Sequence, residues 1–294
     1  MKTRETQHRA TKAATFERIG LVGAGLIGGS IAACAARALP TADLFVSDIS
    51  PGNAAYVAER HPRGRVVGDL AQLAACDAIF LCTPVSRIAD IAVRLLALPA
   101  GEAVVIDTGS AKRAIVEAVA RSGVDAGRFV PGHPLAGGVS TGPGLAGADI
   151  LTARPFVLTP SQATDAAALA AARALIERLG ATVIEMDAGE HDRLLALGSH
   201  LPHLIAFALA GLGEGESREL LPASFRAIAA FAGSDPQMWA DIFSANAAEL
   251  AAAAEIFKKR LDLIAAMADE PAPGALLETL NEAKARIEAL EERP

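Results

Sequence analysis

A glycine-rich turn between an apolar strand and a helix is the feature that most restricts the fold of this chain. The segment Gly23-Ala24-Gly25-Leu26-Ile27-Gly28 has the spacing G-x-G-x-x-G, follows the apolar run 18–22 and precedes an alanine-rich segment. In this setting the first glycine permits a tight turn, the second lets the backbone approach a pyrophosphate, and the third lets the helix pack closely on the strand. The helix N-terminus then directs unpaired N–H groups at the phosphates. The residues predicted to form this dinucleotide site are Gly23, Gly25, Leu26, Ile27 and Gly28.

Short apolar runs alternate with alanine-rich helical segments on both sides of this turn. The predicted strands are 18–22, 43–47, 65–67, 78–82, 103–106 and 129–130. The predicted helices are 26–39, 54–60, 88–98 and 112–121. This alternation is typical of a doubly wound parallel sheet. Two further apolar runs, 156–159 and 182–185, flank a helical segment at 165–179 and are expected to extend the sheet.

The strand patterns end near residue 187, and helical patterns follow at 188–212, 217–232, 236–267 and 275–291. Residues 1–16 are polar and lack periodicity, which is typical of a flexible leader. We therefore predict an α/β protein with an N-terminal Rossmann-type dinucleotide-binding domain at 17–187. A C-terminal all-helical domain is predicted at 188–294. Because helical domains of this kind often pair with a second copy, a homodimer through this domain is expected.

Charge and cysteine content exclude several classes of protein. The chain has 294 residues, with 27 Lys and Arg against 34 Asp and Glu, and a net charge of −7. Nucleic acids and anionic membranes are bound by clustered cations, so neither is an expected partner. The three cysteines are odd in number and lack metal-ligand spacing, as in reduced cytosolic proteins. A cytoplasmic location is therefore predicted.

Three long runs without charged residues, 19–36, 129–148 and 194–213, approach the length of a membrane span. The first contains the glycine-rich turn. The second is rich in glycine and proline, which do not form a regular helix. The third contains Ser199, His200 and His203, whose polar groups are costly in lipid. We therefore expect no membrane-spanning segment.

Asp48 lies 20 residues after Gly28, at the end of the second predicted strand. A carboxylate at this place accepts hydrogen bonds from a ribose diol and repels a 2′-phosphate. Because the next cation is Arg60, NAD is favoured over NADP as the cofactor. Thr83 and Pro84 follow the fourth strand, where a loop would lie over the cofactor. A simple strand-ending turn explains this dipeptide equally well.

Three further clusters carry groups capable of chemistry, namely Asp107-Thr108-Gly109-Ser110-Ala111-Lys112, Gly132-His133-Pro134-Leu135-Ala136-Gly137 and Ser199-His200-Leu201-Pro202-His203. Each has a plain structural explanation, because a lone histidine after a strand is more often structural than catalytic. Proline and glycine around His133 indicate only a turn. His200 and His203 have the spacing of a metal-binding pair, but no cysteine or acidic partner accompanies them, so no metal site is predicted.

Taken together, these segments resemble the prephenate/arogenate dehydrogenase family, the cyclohexadienyl dehydrogenases. The resemblance spans residues 17–262 and includes Glu190-His191-Asp192-Arg193 and Gly233-Ser234-Asp235-Pro236-Gln237-Met238-Trp239. It implies an NAD-dependent enzyme of tyrosine biosynthesis that oxidatively decarboxylates prephenate or arogenate. In that reaction a hydride leaves the hydroxyl-bearing ring carbon for the nicotinamide, and carbon dioxide departs as the ring becomes aromatic.

The resemblance also implies roles for individual residues. His133 matches the base that takes the hydroxyl proton, and a neutral imidazole near pH 7 suits that task. Ser110 would bond the same hydroxyl and orient His133. The residues implied to line the substrate pocket are Ser199, His200, His203, Arg226 and Trp239.

One departure from the family pattern concerns the substrate's side-chain carboxylate. The family carries an Arg four residues before the Ser of Ser-Asp-Pro-x-x-Trp, with an Asp three residues before that Arg. These positions are Ala230 and Ala227 here. Either another cation, such as Arg226 or Arg154, binds the carboxylate, or the substrate differs at that end. The loop Gly138-Val139-Ser140-Thr141 also lacks an acidic residue that is often present in the family.

Two alternatives to the main prediction follow from these departures. The chain could be a diverged member of the family that acts on a related substrate such as 4-amino-4-deoxyprephenate in secondary metabolism. It could also be a nucleotide-binding regulator without catalysis, although the presence of Ser110, His133 and His203 together argues against that.

Overall fold

The N-terminal half of the chain forms a twisted parallel sheet. The computed structural model of the protein describes residues 15–99, 101–136, 142–212, 222–269 and 274–291. The main sheet has six parallel strands in the order β3-β2-β1-β4-β5-β6. These strands are β1 Arg18–Val22, β2 Asp43–Ser47, β3 Gly64–Val66, β4 Ala78–Leu81, β5 Val104–Asp107 and β6 Phe129–Val130. The predicted Rossmann-type α/β fold is confirmed.

Helices cover both faces of this sheet. They are α1 Leu26–Ala38, α2 Pro51–Glu59, α3 Val85–Leu96, α4 Arg113–Arg121 and α5 Ala166–Arg178. Helices α1, α2 and α5 contribute to one hydrophobic cluster, represented by Ile31, Val57 and Leu175. Helices α3 and α4 contribute to a second cluster, represented by Ile88 and Ile115. The central strands β1, β4 and β5 are covered on both sides, which explains their near-continuous apolar character, whereas the edge strand β3 is mostly exposed.

A second sheet of three strands departs from the sequence prediction. It consists of β7 Gly132–Pro134, β8 Pro155–Leu158 and β9 Thr182–Glu185 in the order β7-β8-β9. The expectation that residues 156–159 and 182–185 extend the main sheet is therefore wrong. β8 pairs with β7 antiparallel and with β9 parallel, and His133 lies opposite Val157. The segment around His133 is thus a short strand and not simply a turn.

No strand occurs beyond Glu185 in the part of the chain that the structure describes, and the elements there are helical. They are α6 Ala188–Leu195, a π-helical turn Ala196–His200, α7 Leu201–Leu212, α8 Ala223–Ala229, a 3₁₀ turn Ala230–Gly233, α9 Pro236–Ala245, α10 Ala247–Ala268 and α11 Gly274–Glu291. The helix predicted at 236–267 is interrupted at Asn246, where φ is −119° and ψ is 32°. At this interruption the Asn246 side chain donates a buried hydrogen bond to the carbonyl of Asp192.

The chain divides into two compact units, Met1–Asn246 and Ala247–Pro294. The first unit contains both sheets and the helices α1 to α9, and the second contains α10 and α11. The domain boundary near residue 187 stays a prediction from sequence. Of the predicted leader, residues 1–14 lie outside the described residues, whereas Phe16 is buried in the core of the first unit.

One continuous helical stretch, Ala188–Leu212, is long and apolar enough to pass a length and composition criterion for a membrane span. This is weak evidence for a span, because core helices of globular proteins pass the same criterion. The stretch also carries His191, Asp192 and His200 as buried polar residues. Such groups are costly in a lipid environment.

Candidate active site

Four neighbouring strands of the main sheet end at the same edge, and the predicted polar segments follow them. β1 leads into the glycine-rich turn, β2 into Asp48, β4 into Thr83 and β5 into Ser110. Parallel strands present their carboxyl ends on one side of a sheet, which is where open α/β proteins bind ligands. The fold therefore places these segments together at one edge.

The glycines of the turn differ in what they do. Gly23 has φ of +98°, and an added Cβ would lie 2.5 Å from the backbone of Cys82. An added Cβ on Gly28 would lie 2.0 Å from the carbonyl oxygen of Gly23. In contrast, a Cβ on Gly25 would meet no atom within 4 Å. The first and third glycines are thus required by the protein's own packing, whereas the space beside Gly25 is open.

Asp48 ties this turn to the end of β2. Its Oδ2 accepts a hydrogen bond from the Ala24 N–H at 2.6 Å, and its Oδ1 accepts one from the Ser50 N–H at 2.7 Å. A carboxylate has about four acceptor positions, so Asp48 retains capacity for further donors. No side chain caps the start of α1, where Leu26 and Ile27 are the first residues. The N–H groups of this helix terminus therefore remain suitable for an anion.

The loop after β4 contributes a polar atom with no partner. Thr83 Oγ1 is buried and has no hydrogen-bond partner in the part of the chain that the structure describes. Pro84 is the N-cap of α3. Buried hydroxyl groups nearly always have partners, so this one has hydrogen-bonding capacity to spare at the edge where the strands end.

A fully buried ion pair joins the end of β5 to the beginning of β7. Lys112 Nζ donates to the carboxylate of Asp107, and neither side chain is exposed. Lys112 Nζ also donates to the carbonyl of Gly132 at 2.6 Å, and Asp107 Oδ1 accepts from the Gly132 N–H at 3.0 Å. Burial lowers the pKa of Lys112, against the opposing effect of Asp107. Because both partners bind Gly132, they fix the backbone immediately before His133.

His133 is buried and is held by a second histidine. Its Nδ1 lies 2.9 Å from Nε2 of His191, which in turn places its Nδ1 2.8 Å from Oδ1 of Asp192. Asp192 also accepts hydrogen bonds from the backbone N–H groups of Lys112 at 2.8 Å and Arg113 at 2.9 Å. We call Asp192, His191 and His133 the imidazole chain. It connects the start of α4 to β7 through α6.

The surroundings favour a neutral His133 and an ionised Asp192. Burial, followed by the proximity of His191, Lys112 and His200, lowers the pKa of His133 well below 6.5. For Asp192, burial acts to raise the pKa, but the hydrogen bonds from His191 and two backbone N–H groups outweigh it, and the net pKa is lowered. His133 is therefore available as a base at neutral pH.

The π-helical turn places the second group of histidines. His203 Nδ1 donates to the carbonyl of Ser199 at 2.9 Å, and His200 Nδ1 accepts from the Asn246 amide at 3.1 Å. The His203 ring stacks on the Trp239 indole with centroids 3.6 Å apart. Single π turns occur often at functional sites because they redirect side chains from a regular helix.

Burial also keeps these two imidazoles neutral. It lowers the pKa of His200 to about 4, and it lowers the pKa of His203 despite the opposing effect of the Ser199 carbonyl. Among the described residues, no group of three or more His, Cys, Asp or Glu side chains is arranged to hold a metal ion.

The sequence of this chain matches known protein families and proteins over most of its length. The family model described as "Prephenate dehydrogenase, nucleotide-binding domain" matches residues 35–185, and "Prephenate dehydrogenase, dimerization domain" matches residues 187–282. The chain belongs to the prephenate dehydrogenase family. The cyclohexadienyl dehydrogenase of Zymomonas mobilis is 32% identical over 248 residues, which cover 80% of this chain and 83% of that protein.

Solved structures of family members superpose over nearly the whole chain. Prephenate dehydrogenase from Aquifex aeolicus, in complex with hydroxyphenyl propionate and NAD⁺, has a TM-score of 0.88 at 28% identity. That alignment covers 95% of this chain and all of the other. The arogenate dehydrogenase of Synechocystis has a TM-score of 0.78 at 28% identity, covering 93% of this chain and 99% of the other. The resemblance stated from sequence is thus confirmed.

The roles that the resemblance implies for Ser110 and Arg226 stay predictions. No hydrogen bond joins Ser110 to His133 in the described part of the chain, and the His133 ring is held by His191 instead. The orienting role expected of Ser110 stays a prediction. Arg226 lies exposed on α8, as does Ala227, and Ala230 is exposed in the turn that follows. The loop 138–141 lies outside the described residues.

Sequence reasoning gave no role to His191, Asp192, Asn246 or the pair of Asp107 and Lys112. The sequence did contain an indication of a role for His191 and Asp192, because they are adjacent polar residues in a segment that resembles a family motif. Their function depends on contacts with residues about 80 positions away, as between Lys112 and Asp192, which no local pattern reveals.

Proposed function

We propose that this chain oxidatively decarboxylates a cyclohexadienol, prephenate or arogenate, with NAD⁺ as hydride acceptor in tyrosine biosynthesis. The observation that carries the proposal is the buried, neutral His133 at the end of the imidazole chain, in the same compact unit as the glycine-rich turn. The names of the family members in the comparisons support it.

The residues of the turn fit a dinucleotide. The open space beside Gly25 accommodates a pyrophosphate against the N-terminus of α1. Asp48 has acceptor positions for a ribose diol, and the unpartnered Thr83 Oγ1 offers a hydrogen bond next to Pro84. When bound, the nicotinamide takes up the hydride released by the substrate.

His133 supports that release by removing a proton. Its Nε2 accepts the proton of the ring hydroxyl, and the electron pair left on oxygen forms the carbonyl as the hydride departs from the same carbon. The ring carboxylate then leaves as carbon dioxide, and the electrons of the broken C–C bond complete the aromatic ring. The carbonyl electron pair returns to the ring oxygen, which takes the proton back from His133 to give the phenol. A positioned base of this kind typically contributes about 10²- to 10⁴-fold in rate.

The remaining site residues are proposed to bind the substrate. Ser110, which follows β5, would bond the ring hydroxyl. Ser199, His200 and His203 belong to the π-helical turn and α7. Trp239 stacks on His203 and would act on the substrate by holding that ring in place. Arg226 is the proposed cation that binds the side-chain carboxylate of the substrate.

A related amino substrate is the second candidate. Ala227 and Ala230 stand where the family pattern has an Asp and an Arg, which favours a substrate that differs from prephenate. The test is NADH formation by the purified chain with prephenate, arogenate and 4-amino-4-deoxyprephenate in parallel. A kcat/KM highest for prephenate or arogenate supports the first candidate, and one highest for the amino compound supports the second. Absence of NADH with all three contradicts the proposed function.

We also propose that the chain acts as a cytoplasmic homodimer assembled through its helical region. The match to a dimerization domain over residues 187–282 supports the assembly. Leu277, Leu280 and Ile287 are 48–60% exposed and share one side of α11. Exposed apolar stripes of this kind are typical of protein interfaces.

A further inference from the structure

In the imidazole chain, the contacts of Asp192 determine which atom donates each hydrogen bond. Its Oδ1 accepts from the Lys112 N–H and its Oδ2 accepts from the Arg113 N–H. Backbone N–H groups only donate, so both carboxylate oxygens are acceptors. The ring nitrogen of His191 that lies 2.8 Å from Oδ1 must therefore be a donor.

The protonation of His191 determines which ring donates in the hydrogen bond between His191 and His133. A neutral imidazole has one donor and one acceptor nitrogen. Because His191 Nδ1 donates to Asp192, its Nε2 is the acceptor. The Nδ1 of His133, 2.9 Å away, is the donor in that contact. This leaves the lone pair of His133 on Nε2, the nitrogen that His191 does not occupy.

We propose that His191 and Asp192 are positioning residues that hold His133 in the tautomer with its proton on Nδ1, so that Nε2 is the base. The inference rests on the proposed function for its catalytic meaning. In the step itself the substrate O–H bond breaks, an N–H bond forms at His133 Nε2, and the electron pair stays on oxygen. Asp192 remains ionised and offsets the positive charge that His133 acquires, without taking a proton.

Other charged and titratable groups around His133 do not supply this direction. Lys112 is paired with Asp107, and both bind Gly132 instead of the His133 ring. His200 accepts its hydrogen bond from Asn246. The ring nitrogen Nδ1 of His133 is contacted only by His191 among the described side chains, so the tautomer depends on His191 and, through it, on Asp192.

The first test separates orientation from general structural support. His191→Leu removes the acceptor for His133 Nδ1, and we expect kcat to fall by about 10²-fold or more, since a wrong tautomer lowered turnover by about 10⁴ in serine proteases. The KM for substrate and the Kd for NAD⁺ should stay within about twofold of wild type. His191→Gln keeps an acceptor oxygen and should recover much of kcat. Asp192→Asn should lower kcat as His191→Leu does.

Glu190→Gln is the matched control, because Glu190 is exposed and immediately precedes His191. It should leave kcat, KM and the thermal unfolding midpoint unchanged. If His191→Leu and Asp192→Asn both turn over at the wild-type rate, the proposal is wrong. It is also wrong if His191→Gln loses as much kcat as His191→Leu while both retain the wild-type unfolding midpoint.

The second test does not depend on turnover and separates this inference from the proposed function. Two-bond ¹H–¹⁵N NMR spectra of the histidine-labelled, NAD⁺-bound protein distinguish protonated from unprotonated ring nitrogens. We expect His133 to be protonated on Nδ1 and unprotonated on Nε2, and Asp192→Asn to change that pattern. A wild-type His133 protonated on Nε2 would overturn the inference even if the enzyme were active. The expected tautomer in a protein inactive on all three substrates would instead leave only the proposed function refuted.

Discussion

Among single residues, His133 has the largest proposed part in the reaction. Replacing it in His133→Asn removes the titratable nitrogen but keeps a small polar side chain. We expect kcat to fall by about 10²- to 10⁴-fold, the usual contribution of a positioned base. The Kd for NAD⁺ should be unchanged, because the cofactor is assigned to the turn around Gly25. Steady-state kinetics and calorimetric titration check both values, and near-wild-type turnover would exclude His133 as the base.

The pH dependence of kcat/KM follows from the environment of the same residue. Burial lowers the pKa of His133 well below 6.5, so the ring stays neutral at pH values where an exposed histidine is already protonated. Activity requires the neutral form. The midpoint of the acid limb of kcat/KM should therefore lie below 6.5. A midpoint above that value would show that the surroundings stabilise the charged ring.

The buried pair of Lys112 and Asp107 makes a prediction about stability. In Lys112→Met the carboxylate of Asp107 is left buried without its cation, which typically costs about 3–5 kcal/mol. Denaturant unfolding measures the free energy change. Lys258→Met is the control, since Lys258 forms only an exposed ion pair with Glu255 and should change the unfolding free energy little. Equal effects of the two substitutions would contradict the structural role given to the pair.

Among the secondary-structure elements, the glycine-rich turn contains one glycine that is needed for folding, Gly28, and one that is proposed for cofactor binding, Gly25. Gly28→Ala places a Cβ against the Gly23 carbonyl and should lower the thermal unfolding midpoint, whereas Gly25→Ala meets no protein atom and should leave it unchanged. Gly25→Ala should still weaken NAD⁺ binding, because the added methyl group fills the space proposed for the pyrophosphate. Thermal unfolding and NAD⁺ titration of both variants test this. Undiminished NAD⁺ affinity in Gly25→Ala would argue against that placement.

The same elements show what could be predicted from the sequence. The main sheet was predictable because its central strands β1, β4 and β5 are local apolar runs. The strand–turn–helix setting of Gly23 to Gly28 identified the nucleotide site. β7 was not predictable, since it has three residues, one of them Pro134, and exists only through pairing with the distant strand β8. The π-helical turn at Ala196–His200 was missed because its residues fit a regular helical pattern. The imidazole chain was missed because it needs α4, β7 and α6 to be in place.

At the scale of the whole molecule, the helical region is expected to join two copies of the chain. Leu280→Glu introduces a charge on the apolar side of α11 and should raise the dimer dissociation constant, because charge at an interface core is costly to bury. Glu282→Gln, on another side of the same helix, is the control. Sedimentation velocity over a range of concentrations measures the effect. Unchanged dimerisation of Leu280→Glu would place the interface elsewhere, and a monomeric wild type would refute the homodimer.

The stoichiometry of the reaction of the wild-type enzyme with prephenate and with arogenate shows whether oxidation and decarboxylation occur together. NADH, carbon dioxide and the aromatic product are quantified together from the same reaction. We expect at least one of the two substrates to give the three products in equal amounts, because hydride release and decarboxylation are coupled through aromatisation. NADH without carbon dioxide, or no NADH from either substrate, would contradict it.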